Sequence, residues 1–305
     1  MSLLPHRRYR GRFAPSPTGA LHFGSLVTAV ASYLDARAAG GDWLVRIEDL
    51  DRSREVAGAR DAILTTLERH GLLWDERPIV QSTRTQHHAR WLDRLATHTY
   101  ACACSRRDLD PSTGRYPGTC RGGLPEGAQA RAIRVRVPAG TVAVDDRIQG
   151  RVAQDVQATV GDFVIRRADG PVAYQFAAVI DDAETGITDV VRGADLLEST
   201  PRQSVLQQLL GIERPRYAHV PLAVDEAGRK LSKQSQSMPI DDTRPSASLE
   251  AALHFLGQTV PADLRGARPA ELLAWATGHW RIDAVPRASR LRAPAHEADG
   301  PSVNR

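Results

Sequence analysis

The sequence predicts an α/β fold built on a parallel sheet, from its composition and from the order of its elements. Of the 305 residues, 42% are hydrophobic and 25% are charged, which is typical of a globular protein and excludes a wholly disordered or collagen-like chain. Strand and helix patterns alternate over the first hundred residues, and the alternation returns after about residue 172. Such alternation is typical of parallel strands joined by helical crossovers.

The first half of the predicted sheet is organised around one turn. A strand pattern at 9–14 leads into the Pro/Gly turn APSPTG, and the amphipathic helix that follows ends at the Gly-Gly pair after residue 39. The apolar segment WLVRI at 43–47 predicts a buried strand. Two further amphipathic helices are predicted at about 55–70 and 83–97.

The middle of the chain differs from both flanks. Residues 100–170 contain three cysteines, the turn-rich stretch PSTGRYPGTCRGG and short alternating segments, which predict a small insertion of antiparallel strands. The segments AYQFAAVIDD, TDVVRG and HVPLAV then restore the α/β pattern around a helix at about 196–210. Two helices are predicted at 246–256 and 269–280. The Pro/Ala/Arg-rich composition from about 283 predicts a disordered tail.

Charge and hydropathy limit the class of protein. The net charge of +4 and the pI near 9.2 fit a nucleic-acid partner and fit an ordinary basic surface equally well. No stretch approaches the 18 apolar residues of a membrane span, and the basic N-terminus is not followed by the apolar region of a signal peptide. We therefore expect a cytoplasmic protein that does not enter a membrane.

The lysines are concentrated in one motif. Among 40 basic residues only Lys230 and Lys233 are lysines, and both lie in the loop GRKLSKQ. Two ammonium groups on a Gly-containing loop could hold a triphosphate and stabilise charge as pyrophosphate leaves. The alternative is an exposed basic loop, but the scarcity of lysine elsewhere favours the functional interpretation.

The segment RFAPSPTGALHFGS at 12–25 is a second candidate site. The start of a helix presents unpaired N–H groups and a partial positive charge, which suits a phosphate. His22 could donate to phosphate oxygens, and Gly24 leaves room for a purine or ribose against the backbone. The alternative is a tight turn with a capping histidine.

Together, the helix start HFGS and the loop KLSK resemble the two signatures of class I aminoacyl-tRNA synthetases. RFAPSPTGALHFGS, RIEDLD at 46–51 and KLSK resemble the glutamyl/glutaminyl branch, and the resemblance covers about 10–235. It implies a Rossmann-like catalytic fold that activates L-glutamate with ATP and Mg²⁺. The family loop is KMSKS, so Gln234 here lacks a hydroxyl. The implied catalytic residues are His22, Lys230 and Lys233, and the implied ATP-binding residues are His22, Gly24, Ser25 and Lys233.

The same resemblance implies a glutamate site. Arg12 would pair with a substrate carboxylate, and Arg192 would meet the second one. Glu48 would accept from the substrate ammonium, and Tyr174 would hydrogen-bond the substrate. The remaining pocket residues would be Phe13, Ala14, Pro15 and Ser16. Taken singly, the alternatives are a surface ion pair for the RIED segment, a core position for Tyr174 and a surface charge for Arg192.

The three cysteines indicate a metal site. Cys102, Cys104 and Cys120 lie close together in sequence, which in a cytosolic protein favours metal binding over a disulfide. Three thiolates are one short of tetrahedral zinc, and free buried thiols are the alternative. Neighbouring side chains could supply the fourth ligand: His98, Asp108, Asp110 and Tyr116.

The spacing of Cys102, Cys104, a tyrosine and Cys120 is similar to the zinc site of glutamyl-queuosine tRNA(Asp) synthetases. That narrower resemblance implies that Tyr116 is the fourth ligand of one structural Zn²⁺ per chain. It also implies transfer of glutamate to the queuosine base in the anticodon arm of tRNA(Asp). Two alternatives stay open: a truncated synthetase that charges the 3′ end of tRNA(Glu), and a catalytically inert tRNA-binding paralogue. A third, a class I-like nucleotidyltransferase for a small cofactor, would share the helix start but would not explain RFAPSPTG, RIEDLD or the insertion.

The predicted domain organisation follows from these motifs. The catalytic domain has two halves, at 1–98 and 172–240, separated by a zinc-bearing insertion at 99–171. A helical extension at 241–282 and a disordered tail at 283–305 complete the chain. Little chain follows KLSK, so we expect no full anticodon-binding domain. The lack of coiled-coil heptads makes a monomer the expected state.

Overall fold

The computed structural model of the chain describes residues 7–231 and 239–294, so Lys233 and Gln234 lie outside the described residues. The helices are α1 (Phe23–Ala38), α2 (Ala59–Arg69), α3 (Thr85–Arg94), α4 (Val156–Thr159), α5 (Tyr174–Glu184), α6 (Thr200–Leu210), α7 (Pro245–Phe255) and α8 (Pro269–His279). The strands are β1 (Arg10–Phe13), β2 (Asp42–Ile47), β3 (Ile79–Val80), β4 (Thr99–Cys102), β5 (Ala132–Val135), β6 (Thr141–Asp146), β7 (Gly150–Asp155), β8 (Val164–Arg166), β9 (Asp189–Gly193), β10 (Arg216–Val220), β11 (Leu222–Val224) and β12 (Arg290–Arg292). Across these two ranges, no helix combines the length and the apolar character that crossing a membrane requires.

Two parallel sheets form the centre of the fold. In the first, β2 lies between β1 and β3 and is parallel to both. In the second, β10 lies between β9 and β6 and is parallel to both, while β7 is antiparallel to β6. A backbone hydrogen bond of 2.9 Å from Thr188 N–H to the Arg10 carbonyl joins the two sheets. The predicted α/β class with a parallel sheet is confirmed.

Helix α1 is the central helix of the main core. Its predicted apolar face is buried, with Leu26, Val30 and Leu34 fully shielded from solvent. The helix packs on β1, β9, α7 and α8. Each such buried side chain contributes about 1.5–3 kcal/mol. The core therefore fixes the direction of α1, and with it the position of its N-terminus.

The predicted insertion is divided between two sheets. Strands β4, β5 and β8 form a separate antiparallel sheet, as the alternating segments predict. The hairpin of β6 and β7 instead belongs to the second parallel sheet, where Asp146 pairs with Tyr217 of β10. The domain boundaries at 99–171 stay a prediction, and the hairpin inside them reaches the catalytic sheet.

Some predicted boundaries differ from the observed ones. Helix α2 begins at Ala59 rather than near 55, because Gly58 precedes it in the left-handed region at φ 76°. The helix predicted from 196 is a 3₁₀ turn up to Ser199, and α6 begins beside Pro201.

The predicted disorder from residue 283 is wrong as far as residue 294. Strand β12 pairs in parallel with β11, and the Ala293 N–H donates to the Val224 carbonyl at 2.9 Å. Val285 and Ala293 are both buried. A few apolar anchors and one free strand edge thus order a segment whose composition is otherwise polar.

Candidate active site

One cavity of about 470 Å³ opens at the carboxyl ends of β1, β2 and β9 and at the start of α1. Ligands in α/β proteins bind at this edge of a parallel sheet. The cavity is lined by every predicted ATP and glutamate residue of the described ranges: Arg12, Phe13, Ala14, Pro15, Ser16, His22, Gly24, Ser25, Glu48, Tyr174, Arg192 and Lys230. The assignment of these residues as ligands of a substrate stays a prediction, but the fold brings them to one place.

The start of α1 is built by His22. This residue is the N-cap, and its Nδ1 accepts the N–H of Ser25 at 3.3 Å while Nε2 lies 3.0 Å from Ser25 Oγ. A side chain on Gly24 would lie only 3.3 Å from the His22 ring, so glycine suits this position. His22 therefore caps α1, and the capped helix end faces the cavity; its role toward phosphate stays a prediction.

A buried ion network supports the first strand of the site. Arg12 donates to Asp182 through Nε at 3.1 Å and through Nη2 at 3.4 Å. Arg46 donates to Asp182 at 2.5 Å and to Glu48 at 3.0 Å. The Arg46 side chain is only 1% exposed, so the surface ion pair that the RIED segment could have formed is excluded.

The two carboxylates of this network have different electrostatic environments. Burial raises the pKa of Asp182, but Arg12 and Arg46 more than offset it, so the pKa lies below its usual value. For Glu48, burial is the largest effect and leaves the pKa raised despite Arg46 and Arg12. A cation arriving beside Glu48 would favour its ionised form. Glu48 is thus a suitable hydrogen-bond acceptor for an ammonium group.

Arg192 and Tyr174 face the cavity from the second half of the chain. Arg192 follows three buried residues of β9 and is itself buried, so it is not the surface charge that the sequence left open. Its Nε donates to His219 Nε2 at 2.9 Å and its Nη2 donates to Thr200 Oγ1 at 2.9 Å. Burial raises the pKa of Tyr174, although Arg192 lowers it, so the phenol remains a donor at neutral pH.

The base of the lysine loop is anchored beside the cavity. Lys230 pairs with Asp195, which follows β9. The next residue, Leu231, is buried, and its N–H donates to the Ala223 carbonyl of β11 at 2.9 Å. Lys233 belongs to the segment outside the described residues, so its predicted role stays a prediction.

A second cluster lies in the small antiparallel sheet. The Sγ atoms of Cys102, Cys104 and Cys120 all lie within 4.8 Å of one another. Tyr116 Oη is 3.5 Å from Cys102 Sγ and 3.8 Å from Cys104 Sγ. Arg134 lies over the Tyr116 ring at 3.7 Å and donates to Cys102 Sγ at 3.2 Å. These three cysteines could bind a metal ion.

Comparison with known proteins identifies the family. Residues 8–248 match the family described as tRNA synthetases class I (E and Q), catalytic domain. A glutamyl-Q tRNA(Asp) synthetase of Dechloromonas aromatica is 56% identical over 297 residues, covering 94% of this chain and 99% of that protein. One of Pseudomonas aeruginosa is 54% identical over 288 residues, covering 93% and 97%. The chain belongs to the glutamyl-Q tRNA(Asp) synthetase family.

Solved structures confirm the class I fold of this glutamyl-Q tRNA(Asp) synthetase family member. The crystal structure of a glutamate-tRNA synthetase from Elizabethkingia anophelis has a TM-score of 0.79 and 28% identity. The alignment covers 96% of this chain and 69% of that one. A glutamate tRNA ligase from Elizabethkingia meningosepticum, in complex with its amino acid, gives a TM-score of 0.78.

Sequence analysis missed the residues that hold the predicted ones in place. Asp182 contacts Arg12 and Arg46, and His219 contacts Arg192. A signal existed for Asp182, since the pair of aspartates after an apolar run in YQFAAVIDD is unusual in a buried helix. For His219 the only signal was a histidine in an otherwise apolar strand. In this member of the glutamyl-Q tRNA(Asp) synthetase family, both residues hold arginines of strands that end at the cavity.

Proposed function

We propose that this protein activates L-glutamate with ATP and transfers the glutamyl group to the queuosine base in the anticodon arm of tRNA(Asp). One observation carries the proposal. A single cavity brings together two arginines, a buried glutamate, a capped helix start and Lys230, in a chain whose relatives of this name align over nearly their whole length. The cavity accounts for amino-acid activation, and the relatives' names suggest the acceptor.

Glutamate offers three charged groups, and the cavity has a partner for each. Glu48 accepts from the α-ammonium, because its side chain is only 10% exposed and its ionised form gains from a nearby cation. Arg12 and Arg192 approach the cavity from opposite halves of the chain and suit the two carboxylates. Tyr174 donates a hydrogen bond between them. This set fixes the amino acid without acid–base chemistry.

Activation joins the glutamate α-carboxylate to the α-phosphorus of ATP and releases pyrophosphate. The start of α1 and the His22 ring face the cavity, where they stabilise the phosphate charge. Lys230 and Lys233 stabilise the pyrophosphate as it departs. When bound with ATP, Mg²⁺ would neutralise part of the phosphate charge. Positioning and electrostatics therefore supply most of the rate.

Transfer follows from the adenylate. A hydroxyl of the queuosine cyclopentenediol attacks the activated carbonyl, and AMP leaves. We expect the protein to act as a monomer in the cytoplasm.

The cysteine cluster is proposed to hold one structural Zn²⁺, with Cys102, Cys104, Tyr116 and Cys120 as ligands. Zinc–sulfur bonds of about 2.3 Å in a tetrahedron separate two sulfurs by about 3.8 Å. Cys104 Sγ lies 3.6 Å from Cys120 Sγ, close to that separation. Burial raises the pKa of the Tyr116 phenol, and the Cys120 N–H, which donates to Tyr116 Oη at 2.8 Å, partly offsets that effect. A bound cation would lower the pKa further and favour the phenolate. When bound, the ion would join the end of β4 to the loop that leads to β5, in a sheet with little core of its own.

The deciding experiment measures ATP-dependent attachment of labelled glutamate to purified queuosine-bearing tRNA(Asp) and to tRNA(Glu) in parallel. The proposal predicts label on tRNA(Asp), which is lost when the same tRNA lacks queuosine. Label on tRNA(Glu) alone would instead establish a shortened glutamyl-tRNA synthetase. If neither tRNA is labelled, glutamate-dependent ATP–pyrophosphate exchange distinguishes an inert site from a wrong acceptor.

A further inference from the structure

Three buried side chains from three strands form a chain of hydrogen bonds that ends at the cavity. Asp146 Oδ2 lies 2.6 Å from His219 Nδ1, and His219 Nε2 lies 2.9 Å from Arg192 Nε. His219 is completely shielded from solvent, and the other two residues are nearly so. Asp146 comes from the hairpin strand β6, His219 from β10 and Arg192 from β9. The hairpin thus reaches the glutamate site through the neighbouring strand.

The bonds fix the state of the histidine. The Nε of an arginine always carries a hydrogen, so His219 Nε2 must accept. The ring proton therefore sits on Nδ1 and is donated to the Asp146 carboxylate. Burial lowers the pKa of His219, and Arg192 adds to that effect, so the ring is neutral at physiological pH even though Asp146 opposes the shift.

Asp146 is itself held firmly. Its Oδ1 accepts backbone N–H groups from Ile148 at 3.0 Å, Gln149 at 2.8 Å and His219 at 3.1 Å. Its other oxygen, Oδ2, is left to meet the imidazole. The orientation of the carboxylate is therefore set by the turn after β6 and by β10. The histidine can tilt little without breaking this arrangement.

We propose that Asp146 and His219 are positioning residues that fix the Arg192 guanidinium for the substrate's second carboxylate by holding His219 as the Nδ1–H tautomer. The proposal rests on the glutamate site proposed above. Thr200 Oγ1 fixes the same guanidinium through Nη2 at 2.9 Å. The bonds to His219 and Thr200 use Nε and Nη2 of Arg192, so its Nη1 can donate to a substrate carboxylate.

A neutral acceptor has an electrostatic advantage over a carboxylate at this position. Arg12 bonds directly to Asp182, which offsets much of its charge. Arg192 bonds instead to a neutral imidazole, and the balancing carboxylate of Asp146 stands one ring further away. The field of Arg192 at the cavity is therefore less cancelled. We call the hydrogen-bonded series Asp146–His219–Arg192 the relay. The relay holds the guanidinium and leaves its charge available to an anion.

The principal test is Asp146→Asn. The amide oxygen can still accept the three backbone N–H groups, which turns the amide nitrogen toward His219 Nδ1. Because the amide nitrogen is a donor, His219 Nδ1 must then accept. The ring proton therefore moves to Nε2, where it opposes the Arg192 Nε–H donor. We expect the KM for glutamate in ATP–pyrophosphate exchange to rise by about 10-fold or more, as for loss of a hydrogen bond to a charged group, while the KM for ATP stays within about twofold.

Two further measurements separate positioning from general damage. Nitrogen-15 NMR of labelled histidine should show His219 as Nδ1–H in the wild type and as Nε2–H in Asp146→Asn. Asp155→Asn is the matched control, because Asp155 lies on the same hairpin and caps α4 by accepting from Ala158 N–H at 2.9 Å. It should change neither the tautomer nor either KM.

A second pair of variants keeps the proposal open to refutation if Asp146→Asn does not fold. The Gln amide places an acceptor and a donor about as far apart as the two imidazole nitrogens. His219→Gln should therefore keep the KM for glutamate within about threefold, whereas His219→Leu should lose binding as Asp146→Asn does. Equal KM values for glutamate in all folded variants and in an active wild type would overturn the relay. A wild type with no glutamate-dependent exchange would overturn the proposed function itself.

Discussion

Asp182 and Arg12 form a two-point contact across 170 positions of sequence, with Nε to Oδ1 at 3.1 Å and Nη2 to Oδ2 at 3.4 Å. The same carboxylate accepts from Arg46 at 2.5 Å. One aspartate near the end of α5 therefore balances two buried arginines on adjacent strands of the other half. The contact joins β1 to α5 beside the cavity that Arg12 lines.

Asp182→Asn should destabilise the protein and impair activation. The amide removes the charge that balances Arg12 and Arg46, and breaking a buried pair in this way costs about 3–5 kcal/mol. Chemical denaturation should show that loss in the free energy of unfolding, with reduced glutamate-dependent exchange. Asp169→Asn is the control: Asp169 is exposed where it pairs with Arg167, so the change should stay below about 1 kcal/mol. Equal stabilities of the two variants would contradict the assignment.

Variants of the proposed metal site should lose zinc to different extents. Cys104→Ser removes a thiolate and should lower both the zinc content of the purified protein and its Tm. Tyr116→Phe leaves three thiolates and should weaken zinc retention against a chelator by a smaller amount. Ser112→Ala, an exposed position between the ligands, should retain wild-type metal content. A wild type that contains no zinc by elemental analysis would exclude the ligand set.

The two lysines should differ in their effect on activation. Lys233→Ala should abolish adenylate formation while zinc content stays unchanged, because the proposed role of its ammonium is on the phosphates and not at the cysteine cluster. Lys230→Ala should cost less, since Lys230 is paired with Asp195 before any nucleotide arrives. The adjacent Arg229→Ala removes an exposed cation that pairs with Asp225 and should leave exchange near the wild-type rate. Normal turnover of Lys233→Ala would refute its role.

Acid should weaken glutamate binding through His219. Its pKa is lowered in the fold, chiefly by burial and also by Arg192 and Arg12, while Asp146 opposes the shift. The neutral ring therefore stabilises the folded state in full above the ordinary value of about 6.5. That stability is lost as the pH falls through the lowered pKa, because the protonated Nε2 cannot accept from Arg192. The KM for glutamate should be constant above the ordinary value of about 6.5 and should rise only as the pH falls through the lowered pKa of His219. His219→Gln has no group that titrates there and should lack this rise relative to wild type.

Local signals predicted the elements that carry the site. The strand at 9–14, the glycines that end α1 and the apolar WLVRI segment each stabilise or terminate an element through nearby residues. They placed His22 at a helix start and Glu48 directly after a strand. Both positions depend only on neighbouring sequence, so they could be predicted without knowing the tertiary contacts.

The supporting residues could not be predicted in this way. Asp182, His219 and Asp146 acquire their function from partners on other strands, and nothing near them in sequence specifies those partners. Strand β12 was missed for a related reason. Its segment has few apolar residues, and it is ordered because the edge of β11 offers backbone hydrogen bonds.

The pairing of β11 with β12 has a consequence for synthesis of the chain on the ribosome. Strand β11 leads directly to Lys230, but its partner begins only at Arg290. At translation rates of about 5–20 residues per second, β11 is synthesised several seconds before its partner strand β12. The catalytic sheet can form during that interval, whereas the support of the nucleotide loop is completed last. A ribosome that stalled before residue 290 would therefore display a nascent chain in which β11 still lacks its partner strand.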